Sequence, residues 1–242
     1  AWGQETKKSG ADKDVLFYCS FDDTIEPAIQ KGEKGFAGSV PPEYTRGLKG
    51  GKALITSHAR NATYPVTGNL NIAEGAVKFW VMPMDWRGDE DMFHHFFRVP
   101  EPATATDERA RPFNLLLYRF QDWPSVVAYG MAGELAGSRL LQVPMADTWA
   151  PKRWHQIVFT WDKESAALYV DGEGKNQKYL QNAPDTLEVE RFIVGGPYFV
   201  ENKTLTAIDE LYILNRKLSD DEIEKLFKTE LAEGLLRPAG SR

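Results

Sequence analysis

From Asp14 onward the chain alternates short apolar runs with clusters of Gly, Pro, Asn and Asp. VLFYCSF (15–21), KALIT (52–56), GAVKFWVMPM (75–84), MFHHFFRV (92–99) and FNLLLYRF (113–120) come first. SVVAYG (125–130), RLLQV (139–143), WHQIVFTW (154–161), AALYVDG (166–172), VERFIVGG (189–196) and LTAIDELYIL (205–214) follow. These runs are rich in Val, Ile, Phe, Tyr and Trp. Many short strands with regular turn signals predict an all-β sandwich or barrel. In GAVKFWVMPM, Val77, Phe79 and Val81 share one face and Trp80 and Met82 the other, which predicts a strand buried on both sides. Ile157 and Phe159 share a face of WHQIVFTW, opposite Val158 and Thr160. Asp171-Gly172 reads as a tight turn between neighbouring strands, because Gly tolerates positive φ.

One segment has helical rather than strand periodicity. LSDDEIEKLFKTEL (218–231) opens with Ser219 and places Glu222 three residues later, a capping box. Leu218 and Ile223 are placed to form a hydrophobic staple across the cap. Asp220, Asp221 and Glu222 suit the positive end of the helix dipole. Ile223, Leu226 and Phe227 form an apolar stripe that predicts a short C-terminal helix docked on the sandwich by one face. Residues 1–13 read as a loose polar leader, 14–229 as one domain, and 230–242 as a tail or linker.

Composition narrows the field. Of 242 residues, 42% are hydrophobic and 26% charged, so a sizeable core is available. A formal net charge of -6 argues against a nucleic-acid partner held by a broad basic field. No apolar stretch approaches the roughly 18 residues of a membrane helix. Cys19 is the single cysteine, so neither an intrachain disulfide nor a Cys-rich zinc site can form, and its apolar setting predicts a buried inert thiol. The opening Ala1-Trp2-Gly3 leaves two readings: a mature chain whose signal segment has been removed, or a piece of a longer protein.

Spacing then carries the argument further. Trp154-His155-Gln156-Ile157-Val158-Phe159-Thr160-Trp161-Asp162, followed by Leu168-Tyr169-Val170-Asp171-Gly172, resembles the W-H-x-x-x-x-T-W-D strand and L-Y-x-D-G hairpin of laminin G-like, concanavalin A-like jelly rolls. Ile208-Asp209-Glu210-Leu211-Tyr212-Ile213-Leu214-Asn215-Arg216, with the capped helix behind it, is similar to that family's closing strand. Phe21-Asp22, then Gly47 to Leu54, then Val77 to Val81 match its start, and the resemblance covers about residues 14–229. It implies a jelly roll of two curved antiparallel sheets. It also implies a structural calcium near the meeting point of first and last strands, with Asp22 and Asp209 as ligands and Asp23 and Glu210 as helpers. Calcium is served by hard oxygen ligands, carbonyls included.

Function is less constrained, because this fold hosts sugar-binding modules, protein-binding modules and glycan-cleaving enzymes. The E-x-D-x-x-E strand of its glucanases is absent, and Asp89-Glu90-Asp91 reads as a solvated acidic loop. The Q-(I/V)-H strand of its lyases is also missing, since Gln156-Ile157 is followed by Val158. Sugars are held by aromatic faces and planar hydrogen-bonding groups, and Arg adds bidentate recognition of acidic substituents. Such groups concentrate at Trp86, His94, Arg98, Arg119, Trp123 and Tyr129, beside a long Pro-rich loop carrying Arg109 and Arg111. Strand parity there is ambiguous, because FNLLLYRF is apolar on both faces, and adjacent His94 and His95 are poor joint metal ligands. Asn61-Ala62-Thr63 and Asn202-Lys203-Thr204 fit the N-glycosylation pattern.

The expectation is a secreted or cell-surface, non-catalytic module that binds a polysaccharide or oligosaccharide on its concave sheet, alone or beside other domains of a larger chain. A polysaccharide-cleaving enzyme and a structural or protein-interaction module stay open as alternatives.

Overall fold

The structure, a computed structural model, describes residues 13–90, 94–100, 113–120, 123–129, 141–144, 148–179, 190–196 and 203–235. At 113–120, 123–124, 129 and 234–235 it describes the backbone alone. Two antiparallel sheets form a jelly-roll sandwich. The nine-stranded sheet runs β14(Gly174–Tyr179)-β13(Ser165–Val170)-β12(His155–Trp161)-β7(Gly75–Pro83)-β16(Thr206–Leu214)-β1(Val15–Cys19)-β2(Ile29–Gln30), with β5(Lys52–Thr56) on β16 and β4(Tyr44–Arg46) on β5. The seven-stranded sheet runs β11(Leu141–Val143)-β10(Trp123–Tyr129)-β9(Phe113–Phe120)-β8(His94–Val99)-β15(Arg191–Gly195)-β6(Asn61–Pro65)-β3(Ala37–Gly38).

Period-two alternation decides what each sheet turns inward. Val77, Phe79 and Val81 of β7, Ile157, Phe159 and Trp161 of β12, and Ile208, Leu211 and Ile213 of β16 meet Ala62, Tyr64, Phe96, Phe97, Val126, Phe192 and Val194 of the other sheet. Strand β1 lies between β16 and the edge strand β2, pairing with β16 with Val15 opposite Leu214 and Cys19 opposite Leu211. Cys19 is fully buried, and burial pushes its thiol up to about 12, which makes it an inert packing residue.

The turn after β13 forms where the sequence places it, with Asp171 at φ 55° and Gly172 at φ 70°. Helix α1(Asp220–Leu235) is capped by Ser219. The Ser219 N–H donates to Glu222 Oε2 at 2.9 Å, and the Glu222 N–H returns to Ser219 Oγ at 3.4 Å. Leu218 and Ile223 pack together with Ala76, Val158, Ala167 and Tyr169. The helix runs past Leu231 to Leu235, so the segment expected to be tail from 230 onward begins as helix. The half-buried Leu231 continues the apolar stripe one turn beyond Phe227, next to the polar docking of Glu230 described below.

Candidate functional site

A two-layer sandwich offers two outer faces, and α1 closes one of them. On the nine-stranded sheet, Phe227 stacks on Trp80 with ring centroids 5.8 Å apart. Beside it, the Glu230 carboxylate accepts from Lys78 Nζ at 2.5 Å, Trp80 Nε1 at 2.7 Å and Gln156 Nε2 at 3.1 Å. Lys78, Trp80 and Gln156 are buried as a result. A cavity of about 540 Å³ opens beside the helix start, floored by Ala167, Tyr169 and Leu218. Its polar rim is already engaged: Asp220 accepts from Tyr169 Oη and Lys175 Nζ, both at 2.6 Å, and Lys217 pairs with Asp162 at 2.8 Å.

The seven-stranded sheet has no such helix on its outer face among the described residues. Arg98 of β8, half-buried, stands opposite Ile193 on one side and Asn114 on the other. The parity of Arg98 follows from a bulge between His95 and Phe97, which turns both Phe96 and Phe97 into the core. Burial rises across this face. Asn61, Thr63 and Pro65 of β6 are half-exposed, Ile193 is 6% exposed, and Ser125 and Val127 of β10 are fully buried.

The residues singled out from the sequence therefore divide. Trp86 and His94 do not present their rings to solvent; they are core. Trp86 is fully buried, donates Nε1–H to Thr206 Oγ1 at 3.0 Å, and stacks on His94 at a centroid distance of 3.5 Å. Desolvation pushes the His94 imidazole down to about 3, so it is neutral at physiological pH. The physical reason is the same bulge, which puts His94 on the inward parity of Phe96. Trp123 and Tyr129 pair with Phe120 and Asn114, on the parity of Ser125 and Val127 and opposite that of the core residues Val126 and Ala128. Arg119 pairs with Pro124, on the parity of Val126. The side chains of Arg119, Trp123 and Tyr129 lie outside the described residues, as do Arg109 and Arg111.

Asp22 and Asp209 come together at one corner through the loop between β4 and β5. Asp22 Oδ1 accepts the Lys52 N–H at 2.7 Å. Asp209 accepts the Leu48 N–H on Oδ2 at 2.8 Å and the Glu210 N–H on Oδ1 at 2.9 Å. The loop passes so close that a Cβ on Gly51 would stand 2.0 Å from Asp22 Oδ1, and one on Gly47 2.8 Å from Asp209 Oδ2. Burial first, and then the charges of Glu210 and Asp22, raise the Asp209 carboxyl to about 8 against the pull of the Leu48 and Glu210 N–H donors. Phe21, Asp23 and Glu210, with φ of 59°, 55° and 52°, hold left-handed backbone here at about 1–2 kcal/mol each. Among the described residues no three His, Cys, Asp or Glu side chains converge as a metal-binding set. A cation at this corner would take backbone carbonyls alongside the two aspartates, a mixture that suits calcium.

Two features escaped the sequence reading. The first is the coupling inside the W-H and D-G motifs: His155 Nδ1 bonds Asp171 Oδ2 at 2.8 Å, and Asp171 Oδ1 accepts the Gln156 N–H at 2.8 Å. The second is the Lys78–Glu230 pair; a lysine in the middle of a nine-residue strand buried throughout was its available signal.

A family model described as the concanavalin A-like lectin/glucanases superfamily, laminin G type, matches residues 56–224. The chain belongs to this superfamily. The superfamily's lectin-like fold is shared with solved binding domains at low identity. The binding domain of Paraclostridial Mosquitocidal Protein 1 is 12% identical at a TM-score of 0.68, over 90% of this chain and 52% of that one. The ligand-binding domain of botulinum neurotoxin serotype D, solved with N-acetylneuraminic acid, is 11% identical at 0.67, over 90% and 51%. Domain 4 of AbnA, an extracellular GH43 arabinanase of Geobacillus stearothermophilus solved with arabinotriose, is 18% identical at 0.61, over 88% and 98%. This superfamily member spans about half the length of the toxin binding domains it matches. No curated protein matches it. Among the described residues, no helix is long and apolar enough to cross a membrane.

Proposed function

We propose that this chain is a glycan-binding module of a secreted or surface protein, and that it meets its saccharide on the outer face of the seven-stranded sheet. One observation carries the reading: α1 covers the other sheet, while on this face Arg98 of β8 and Asn61, Thr63 and Pro65 of β6 keep partial exposure. An arginine fork suits a ring bearing hydroxyls and an acidic substituent. The sugar complexes of the toxin domain and of the arabinanase domain support the class of ligand. Ligand-binding faces of this kind need no catalytic pair, and the module is read as non-catalytic.

A structural calcium at the Asp22–Asp209 corner belongs to the same proposal. Calcium would supply positive charge beside the buried Asp209, where the charges of Glu210 and Asp22 now act against its ionised form, and so tie the end of β1 to β16.

The experiment is a glycan array followed by calorimetric titration with arabino- and sialyl-oligosaccharides. Arg98→Ala should weaken binding at least tenfold, about 1.4 kcal/mol, with the fold intact. Silence across the array, or an unchanged Kd in Arg98→Ala, overturns the reading, and release of new reducing ends would replace it with hydrolysis. Millimolar calcium should raise Tm reversibly with chelator, and Asp209→Asn should abolish that response. A calcium-insensitive Tm removes the metal.

A further inference from the structure

The face beneath α1 is built like a binding site. Gln156 of β12 stands opposite Trp80 of β7 in the ladder, and Lys78 lies two positions along the same strand. Their donors converge on one carboxylate. Glu230 Oε2 takes Lys78 Nζ at 2.8 Å, Trp80 Nε1 at 2.7 Å and Gln156 Nε2 at 3.1 Å, and Oε1 takes Lys78 Nζ at 2.5 Å. Lys78, Trp80 and Gln156 are 3%, 0% and 1% exposed. Gln156 Oε1 is buried with no hydrogen-bond partner, an acceptor left over after Glu230 is satisfied. Phe227, one turn ahead of Glu230, lies over the Trp80 ring at 5.8 Å and 21°.

Packing alone does not require these groups. A buried ion pair is rarely better than a well-packed apolar pair of the same volume. The helix end that carries the carboxylate is also poorly made. Glu233 sits in its last turn and no basic residue does, so it opposes the negative end of the dipole. The cap, Leu218 and Ile223 anchor the opposite end. What holds the C-terminal half is Phe227, the Lys78–Glu230 pair and a Lys49–Glu233 contact at 3.2 Å. Phe227 and Glu230 together present a flat apolar face with a carboxylate beside it. A uronate or sialate ring presents the same two features, plus hydroxyl donors that Gln156 Oε1 would accept.

We propose that Lys78, Trp80 and Gln156 form a recognition site for the carboxylate-bearing ring of an acidic saccharide, occupied in cis by Glu230 and Phe227, and that ligand enters when the C-terminal half of α1 lifts from the sheet. This site is distinct from the Arg98 face and does not depend on it.

The test uses the full chain, with sodium glucuronate, glucose and sodium acetate as probes. Glu230→Ala vacates the carboxylate position. Glucuronate at about ten times its Kd should then raise Tm by about 3 °C or more, with glucose giving no shift and acetate a smaller one. The gain should vanish in Lys78→Met/Glu230→Ala and persist in Arg98→Ala/Glu230→Ala, which separates this site from the other. Equal shifts with glucuronate and glucose overturn the proposal, and an acetate shift as large as that of glucuronate reduces the site to a bare carboxylate hole and overturns its saccharide assignment. Should Glu230→Ala not fold, hydrogen exchange of the unmodified protein decides. Glucuronate should speed exchange of backbone amides at 227–235 while slowing that of the Trp80 indole N–H, and unchanged exchange at both overturns the proposal.

Discussion

Asp171 shows how one residue can serve a whole motif. Its backbone takes the left-handed conformation at φ 55°, which Asp and Asn tolerate better than other side chains. Its two carboxylate oxygens hold the His155 ring and the Gln156 N–H, and its own N–H donates to the Gln156 carbonyl at 2.9 Å. His155 in turn stacks on the buried Trp149 at 4.2 Å and 7°. The histidine of the W-H motif is thus a positioned core group whose Nε2 is buried without a partner. Asp171→Ala strands the Gln156 N–H and the imidazole Nδ1, so we expect a loss of about 1–3 kcal/mol for the unmet donors. Asp171→Asn keeps an acceptor and the backbone preference, and should lose less than half as much. Urea midpoints for the two variants check this, and equal losses would refute the hydrogen-bonding account.

At the scale of elements, α1 is stabilised by different means at its two ends. Its start was legible from residue spacing alone, because a capping box and a staple are local devices. Ser219→Ala should cost about 1 kcal/mol. The same cap predicts a pH response. The Arg216 guanidinium, 2.7 Å from Glu222 Oε1, holds that carboxyl down to about 2, helped by the Ser219 N–H. A carboxyl depressed in the folded state contributes its stability above its ordinary value, near 4.3, and loses it as pH falls toward 2. The group is nearly half exposed, so screening reduces the term to about 0.5–1 kcal/mol. Glu222→Gln should flatten the acid limb of the stability curve by that amount, and an unchanged limb would show the pair to be inert. The far end of the helix was not legible, because its partner Lys78 lies 152 residues away. Strand β14 was missed for a related reason. GKNQKY sits at a sheet edge with half its side chains in solvent and carries no apolar alternation to read.

For the whole molecule, the core strands could be read from sequence because sheets buried on one or both faces demand apolar residues at fixed parity. Which face of β8 points inward could not, since a single bulge reverses it for every residue beyond. Pairing between remote strands then makes stability a property of the entire sandwich. Phe17 on β1 lies edge-on to Tyr64 of β6 at 4.7 Å and to Phe192 of β15 at 5.1 Å, so one ring joins the first strand of one sheet to two strands of the other. It is fully buried. Phe17→Ala should therefore cost about 3–5 kcal/mol, the range for truncating a packed aromatic. Tyr179→Ala, at a side chain 78% exposed, should stay within about 0.5 kcal/mol. Because β1 contributes to both the sheet ladder and the interlayer core, the Phe17→Ala loss should appear as one shifted transition. Tryptophan fluorescence, reporting the buried rings Trp80, Trp86, Trp149 and Trp161, and far-UV circular dichroism, reporting the sheets, should share a midpoint. Separate midpoints would mean that the two sheets hold together without that joint, and that the first strand merely decorates a core completed by the others.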